Sequence, residues 1–197
     1  MRDAVKQSPE EYLAFERTVE YRNEFIDGDI RQIPSSNRRK AQIMSSLNAE
    51  LHNRTRGQPV RVYPVQMRLK IENYLVYTYA DVAATIEPSE FERFIDTDTL
   101  LNPVVLFEIY SAQNERYLRG DKFHYYRSLR SLREYVLISR DTCLVERYTR
   151  QPDDTWLLTV FDNLSQTLPL ATLACELPLS EIYYRIEFPS AEAATPA

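Results

Sequence analysis

The chain has 197 residues, 44% of them hydrophobic and 12% aromatic, with a formal net charge of −5. That suits one domain with a substantial core and excludes a disordered chain, and no apolar run reaches the ~18 residues of a membrane span. With glycine only at Gly28, Gly57 and Gly120, there is no P-loop, no Gly-x-Gly-x-x-Gly loop and no Gly-x-Ser-x-Gly elbow.

Ser8-Pro9-Glu10-Glu11 predicts a helix start: Ser as N-cap, Pro at the first position, Glu three after the cap. The helix is expected to reach about Arg17. Residues 22–33 predict a hairpin turning at Asp27-Gly28. A second helix is expected from near Ser36, with Ile43, Met44, Leu47 and Leu51 on one face, stopping at Gly57. Residues 60–63 read as a short strand. Met67, Leu69 and Ile71 alternate with Arg68 and Lys70, which predicts a half-buried strand. The apolar run 79–86 predicts a strand holding Asp81, and 87–99 reads as an irregular loop or short helix. A strand over 104–110 holds Glu108. A helix over about 115–129 follows, then strands over 134–139, 143–149 and 156–161, and an amphipathic helix over 179–186. The small, polar tail 190–197 is expected to fray.

This order predicts an α/β (α+β) class, a mixed sheet flanked by helices, in one domain over 1–189. The unit 108–139 is long enough for a parallel crossover. The first residues carry no apolar stretch, and Cys143 and Cys175 have no second ligand type at metal spacing. A reduced, cytoplasmic protein is expected. The two histidines, His52 and His124, have no partner at zinc-ligand spacing.

Charge is unevenly spread. Residues 38–70 hold eight Lys/Arg against the single acid Glu50, and 116–150 hold nine against four acids. The acidic excess lies in the N-terminal helix and in 87–98. A basic face on an acidic protein fits a phosphate-bearing substrate, and solvated helix faces give the same composition.

Asp81 and Glu108, 27 residues apart, each interrupt a Val/Ile/Leu/Phe-type run. A carboxylate in such a run is costly to bury unless it is paired or binds a cation. Mg²⁺ or Mn²⁺ fits two such groups, because Mg²⁺ takes hard oxygen ligands and typically one or two carboxylates plus phosphate. The backbone carbonyl of Ile109 lies beside Glu108 and can add a ligand. Lys122, on the following helix, can orient water and offset negative charge. This is the chemistry of phosphodiester hydrolysis.

The pattern resembles the PD-(D/E)XK nuclease superfamily, and the chain over about 8–188 resembles the Uma-type restriction endonucleases abundant in cyanobacteria. The landmarks are Ser8-Pro-Glu-Glu-Tyr-Leu13, Tyr21-Arg-Asn-Glu-Phe-Ile-Asp-Gly-Asp-Ile30, Tyr63-Pro-Val-Gln-Met-Arg68, Asp81-Val, Asp98-Thr-Leu-Leu-Asn-Pro-Val-Val105, Glu108-Ile-Tyr-Ser111, Arg119-Gly-Asp-Lys-Phe-His-Tyr-Tyr-Arg127, Ser131-Leu-Arg-Glu-Tyr135 and Leu177-Pro-Leu-Ser-Glu-Ile-Tyr183. The resemblance implies a restriction-endonuclease-like core and a metal-dependent endonuclease acting on DNA. It implies that Lys122 is the superfamily's lysine, migrated from the position now held by Tyr110, and that Glu24 joins the metal shell. It also implies a homodimer, for which Tyr183, Tyr184 and Phe188 are candidate contacts. Ala80 stands where the family usually has Pro, Ser111-Ala-Gln-Asn114 replaces Ser-Pro-Ser, and Arg38-Arg39-Lys40 covers the region of a common family His. Arg38, Arg39, Lys40 and Arg68 are expected to track phosphates. Two other readings stand beside the nuclease: a degenerate nuclease fold that binds nucleic acid without turnover, and a protein-interaction domain.

Overall fold

In the computed structural model, the described residues are 6–64, 67–95 and 97–188. The expected frayed tail, 190–197, lies outside them. Helix α1 (Pro9–Glu16) opens with the predicted capping box: Ser8 Oγ accepts the Glu11 N–H at 3.2 Å, and the Glu11 carboxylate accepts the Ser8 N–H at 2.7 Å. Strands β1 (Asn23–Ile26) and β2 (Asp29–Gln32) form the hairpin, with Asp27 and Gly28 at φ 46° and 92°. Two left-handed residues in succession suit the twist of a tight hairpin. Helix α2 (Arg38–Arg54) starts at an Asn37 N-cap, whose Oδ1 accepts the Lys40 N–H at 2.9 Å. It buries Ile43, Leu47 and Leu51 as the periodicity predicts.

Strands β3 (Val60–Pro64), β4 (Arg68–Ile71), β5 (Val76–Tyr79) and β6 (Val82–Ile86) come next. The run 79–86 is therefore not one strand. β5 ends at Tyr79 in one six-stranded sheet, ordered β2-β1-β5-β4 and continuing into two further strands. β6 begins at Val82 in the other sheet, so Ala80 and Asp81 form the joint between the two. Within 87–99, read from the sequence as a loop or short helix, β7 (Phe91–Phe94) and β8 (Thr97–Leu100) form a hairpin that completes the first sheet by parallel pairing of β8 with β4.

The second sheet adds β9 (Val105–Tyr110), β10 (Glu134–Ser139), β11 (Val145–Arg150) and β12 (Trp156–Phe161), in the order β12-β11-β10-β9-β6-β3. β9 and β10 pair in parallel, with Glu108 opposite Leu137, so the crossover predicted over 108–139 is present. Its helical part is α3 (Glu115–Tyr117), a π-helical turn over Leu118–Lys122, and α4 (Phe123–Tyr126). A hairpin the sequence did not suggest, β13 (Thr167–Leu170) with β14 (Cys175–Pro178), precedes the short α5 (Leu179–Ile182), which ends earlier than the expected 186.

The second sheet separates two cores. On one face Val105, Phe107, Ile109, Val136 and Ile138 pack against α2 and the β13–β14–α5 segment. On the other, Leu106, Tyr110, Tyr135 and Leu137 pack with Leu118, Tyr126 and residues of the first sheet. Side chains alternate along β9, so Glu108 faces the crossover helix and Ile109 faces α2. Among the described residues no helix is long and apolar enough to cross a membrane.

Candidate functional site

Asp81 and Glu108 meet at the joint between the sheets. β6 and β9 run antiparallel, and their paired register ends with Val82 opposite Phe107, one residue short of both Asp81 and Glu108. The Asp81 N–H still donates to the Phe107 carbonyl at 3.1 Å. Beyond that point β6 offers no further carbonyl to β9. The Ile109 N–H, left without a ladder partner, donates to Asp81 Oδ2 at 2.7 Å. The carboxylate thus substitutes for a strand carbonyl, which explains how a buried acid is tolerated there.

Asp81 is 4% exposed, Glu108 3%, Lys122 5% and Glu24 7%. Four buried ionisable groups require mutual pairing. Lys122 Nζ lies 2.9 Å from Glu108 Oε1, 3.1 Å from Glu24 Oε1 and 2.9 Å from the Tyr79 carbonyl. These three acceptors use all three protons of the ammonium. Glu108 Oε1 also accepts the Tyr126 hydroxyl at 2.8 Å. Glu24 Oε2 accepts the Tyr117 hydroxyl at 2.7 Å, and Thr78 donates to Glu24 Oε1.

The π turn positions this set. π-helical insertions widen a helix and are common at functional sites. Here the turn sets Tyr117 and Lys122, five residues apart, on the same glutamate. The widened turn also leaves the Leu118 carbonyl to accept the Tyr135 hydroxyl at 3.1 Å.

The electrostatics follow from burial and pairing. Burial opposes the charged form of Lys122, but Glu108 and Glu24 outweigh it and hold its pKa well above the usual lysine value. Burial likewise opposes ionised Glu24; the Lys122 charge and the Thr78 and Tyr117 hydrogen bonds overcome it and keep this carboxyl below its ordinary value. For Glu108, burial prevails, helped by the charge of Asp81 and opposed by Lys122 and Lys40, so its pKa is raised.

Lys40 belongs to this cluster. Its Nζ lies 2.7 Å from Asp81 Oδ1. Expected on a phosphate-tracking surface, it instead reaches from the first turn of α2 onto the site. It stands in the region where the family resemblance places a histidine, which was the one available signal.

The other expected phosphate contacts separate. Arg38 is exposed at the start of α2, and Arg39 lies 3.4 Å from Asp141. Arg68 is 4% exposed and donates to Thr99 Oγ1 at 2.9 Å. It sits on an interior strand, where the predicted polar-out alternation fails because the aromatic cluster of α1, β1 and β5 covers that side of the sheet. The acidic stretch also folds back on the basic one: Lys70 pairs with Glu92, and Arg61 with Glu87, each at 2.5 Å. These contacts neutralise two of the eight cations of the basic stretch.

Both oxygens of Glu24 are engaged, Oε1 by Lys122 and Thr78 and Oε2 by Tyr117. Among the described residues, no three His, Cys, Asp or Glu side chains are grouped to hold an ion. Asp81 and Glu108 still fit a cation of the Mg²⁺ type, which keeps several waters and needs only one or two protein carboxylates. An ammonium already rests on Asp81, so this oxygen does receive positive charge.

Of the contacts expected at the C-terminal end, Tyr183 is 3% exposed, and its hydroxyl donates to the Leu144 carbonyl at 2.9 Å. Phe188 packs edge-on against it at 5.1 Å. Only Tyr184, 53% exposed, remains at the surface.

The chain is similar over 93% of its length to the Synechocystis sp. protein slr1290, at 27% identity, covering 94% of that protein. It is also similar to Synechocystis sp. sll1609, at 29% identity over 76% of this chain and 84% of that one. In three dimensions it matches the crystal structure described as a "putative nuclease belonging to DUF820" from Anabaena variabilis, with a TM-score of 0.68 and 20% identity, over 84% of this chain and 91% of that one. The mixed-sheet fold is therefore shared with that protein. The sequence profile of the Uma2 family, described as "Putative restriction endonuclease", matches residues 9–180, and the chain belongs to that family.

Proposed function

We propose that the protein is a cytoplasmic, divalent-metal-dependent endonuclease that hydrolyses DNA phosphodiester bonds. The observation that carries this reading is the pair Asp81 and Glu108, brought together where Asp81 Oδ2 accepts the Ile109 N–H at 2.7 Å, with Lys122 fixed against Glu108 at 2.9 Å. Family membership supports a nuclease as the activity class.

Asp81, Glu108 and the Ile109 carbonyl would hold a Mg²⁺ or Mn²⁺ ion, which supplies Lewis-acid stabilisation of the scissile phosphate and a nucleophile at neutral pH. The chain's own residues do the rest. Lys122, kept cationic by two glutamates, offsets the negative charge of the reacting phosphate. Glu24 orients Lys122 and so acts as a positioning residue. Tyr126 fixes the Glu108 rotamer through Oε1, so that Oε2 is the oxygen not engaged by the lysine and tyrosine. Arg38 and Arg39, on the first turn of α2 beside Lys40, are the proposed phosphate contacts. Two such sites in a homodimer suit cleavage of both strands.

A second reading has one observation in its favour. Both carboxylates already have lysine partners, as expected of a fold retained to bind nucleic acid without turnover. Incubation with plasmid and single-stranded DNA in Mg²⁺ or Mn²⁺ separates the two. Cleavage by the wild type and none by Asp81→Ala supports the nuclease, while salt-dependent binding without cleavage supports the module.

A further inference from the structure

We propose that Lys40 is a resident counter-ion that a metal must displace from Asp81. This rests on the reading that Asp81 and Glu108 hold a divalent cation. Asp81 Oδ2 is committed to the Ile109 N–H at 2.7 Å, so Oδ1 is the oxygen open to a metal. Lys40 Nζ lies 2.7 Å from Oδ1. An ammonium at that distance competes with an incoming cation for position and repels its charge.

The anchoring of Lys40 suits displacement. Lys122 makes three buried contacts and is 6% exposed at its side chain, whereas Lys40 keeps 23% of its side chain exposed. It extends from the first turn of α2, where its backbone is pinned by the Asn37 cap, on a four-carbon stem of intrinsically flexible type. Released from Asp81, its ammonium is free to pair with a substrate phosphate. The two lysines thus divide the work. Lys122 stays in place through the cycle, and Lys40 leaves when metal enters.

The energetic consequence is a lowered apparent metal affinity in the wild type. If the Lys40-released state is populated about one time in ten, affinity falls about tenfold. Mn²⁺ titration without DNA, followed by the electron paramagnetic resonance of the free ion, measures this. Lys40→Met is expected to bind Mn²⁺ about tenfold more tightly than the wild type, and Asp81→Asn in either background is expected to remove the site. Acetylation of the wild type by acetic anhydride, read by mass spectrometry, gives a second measurement that does not depend on the variant folding. Lys40 should be protected without Mn²⁺ and become reactive at saturation. Asp81-dependent binding that is equal or weaker in Lys40→Met, or Lys40 reactivity unchanged by Mn²⁺, overturns the displacement and leaves the metal site standing. No Asp81-dependent Mn²⁺ binding in either protein overturns both.

Discussion

Tyr117 and Lys122 reach the same buried glutamate from the two ends of one π turn. Tyr117 takes Glu24 Oε2 at 2.7 Å, and Lys122 takes Oε1 at 3.1 Å while also holding Glu108 at 2.9 Å. The lysine is therefore a structural keystone for two acids as well as a candidate catalytic group. Deleting its charge leaves two buried carboxylates without their counter-ion, and breaking such a pair costs about 3–5 kcal/mol.

Lys122→Ala should accordingly lose cleavage and also unfold at lower urea. The stability loss should shrink when Glu24→Gln is combined with it, because the neutral amide no longer needs the cation. A double-mutant cycle checks this. Strict additivity would show that the two side chains do not interact.

The pH dependence of stability has a sign for each acid. The Glu24 carboxyl is held below its ordinary value, so its contribution is present above the unfolded value near 4.5 and is lost as pH falls through the folded pKa. Glu108 is raised, so its contribution is complete below the unfolded value and is lost as pH rises through the folded pKa. Urea unfolding across acid pH should show Glu24→Gln flattening the low-pH loss. Glu108→Gln should remove the loss of stability that sets in as pH rises through the folded Glu108 pKa. The opposite order of effects would contradict the assigned environments.

Phosphate contact is expected from Arg38 and Arg39 and not from Arg68. Neutralising the first pair should lower the log–log salt slope of DNA binding by ~0.7–0.9 for each phosphate that then keeps its counter-ion. Arg68→Ala should leave the slope unchanged but destabilise the fold, because Thr97 and Thr99 are left without their guanidinium partner. A reduced slope in Arg68→Ala would reassign it to the interface.

The dimer is expected to use other residues than Tyr183 and Phe188, which serve the core. Leu157, Leu158 and Val160 are 55%, 44% and 48% exposed on β12, an edge strand. Exposed apolar edges invite pairing with another chain. Sedimentation at micromolar concentration should give a dimer, and Leu158→Lys with Val160→Lys should give a monomer. A wild-type monomer would remove the dimer from the account.

Local chemistry was legible where short-range rules act alone. The capping box at Ser8, the Asp27-Gly28 turn, the α2 face and the strand around Glu108 follow from neighbours in sequence. The break at Ala80–Asp81 was not legible, because both sheets bury their strands and the apolar run continues through the joint. The β7–β8 hairpin was hidden by its charges: Glu92 pairs with Lys70 on a distant strand, and Arg93 with Asp98 within the hairpin. The π turn leaves no periodic signature over five residues. Lys40 read as one of three consecutive surface cations, since a charge run cannot say which member meets a buried acid 41 residues away. Glu24 was placed at the site by resemblance, but its role as the anchor of Lys122 emerges only from the geometry.

The central claim is that Asp81 and Glu108 act together as the cation-holding pair of a nuclease. Its most direct test is the cleavage of supercoiled plasmid at enzyme excess in Mg²⁺ and in Mn²⁺. Wild type, Asp81→Asn and Glu108→Gln should be compared, each first checked for a cooperative unfolding transition. The account predicts metal-dependent nicking or linearisation by the wild type, and loss in both folded variants. Wild-type cleavage that persists in chelator, or in either folded variant, would contradict it.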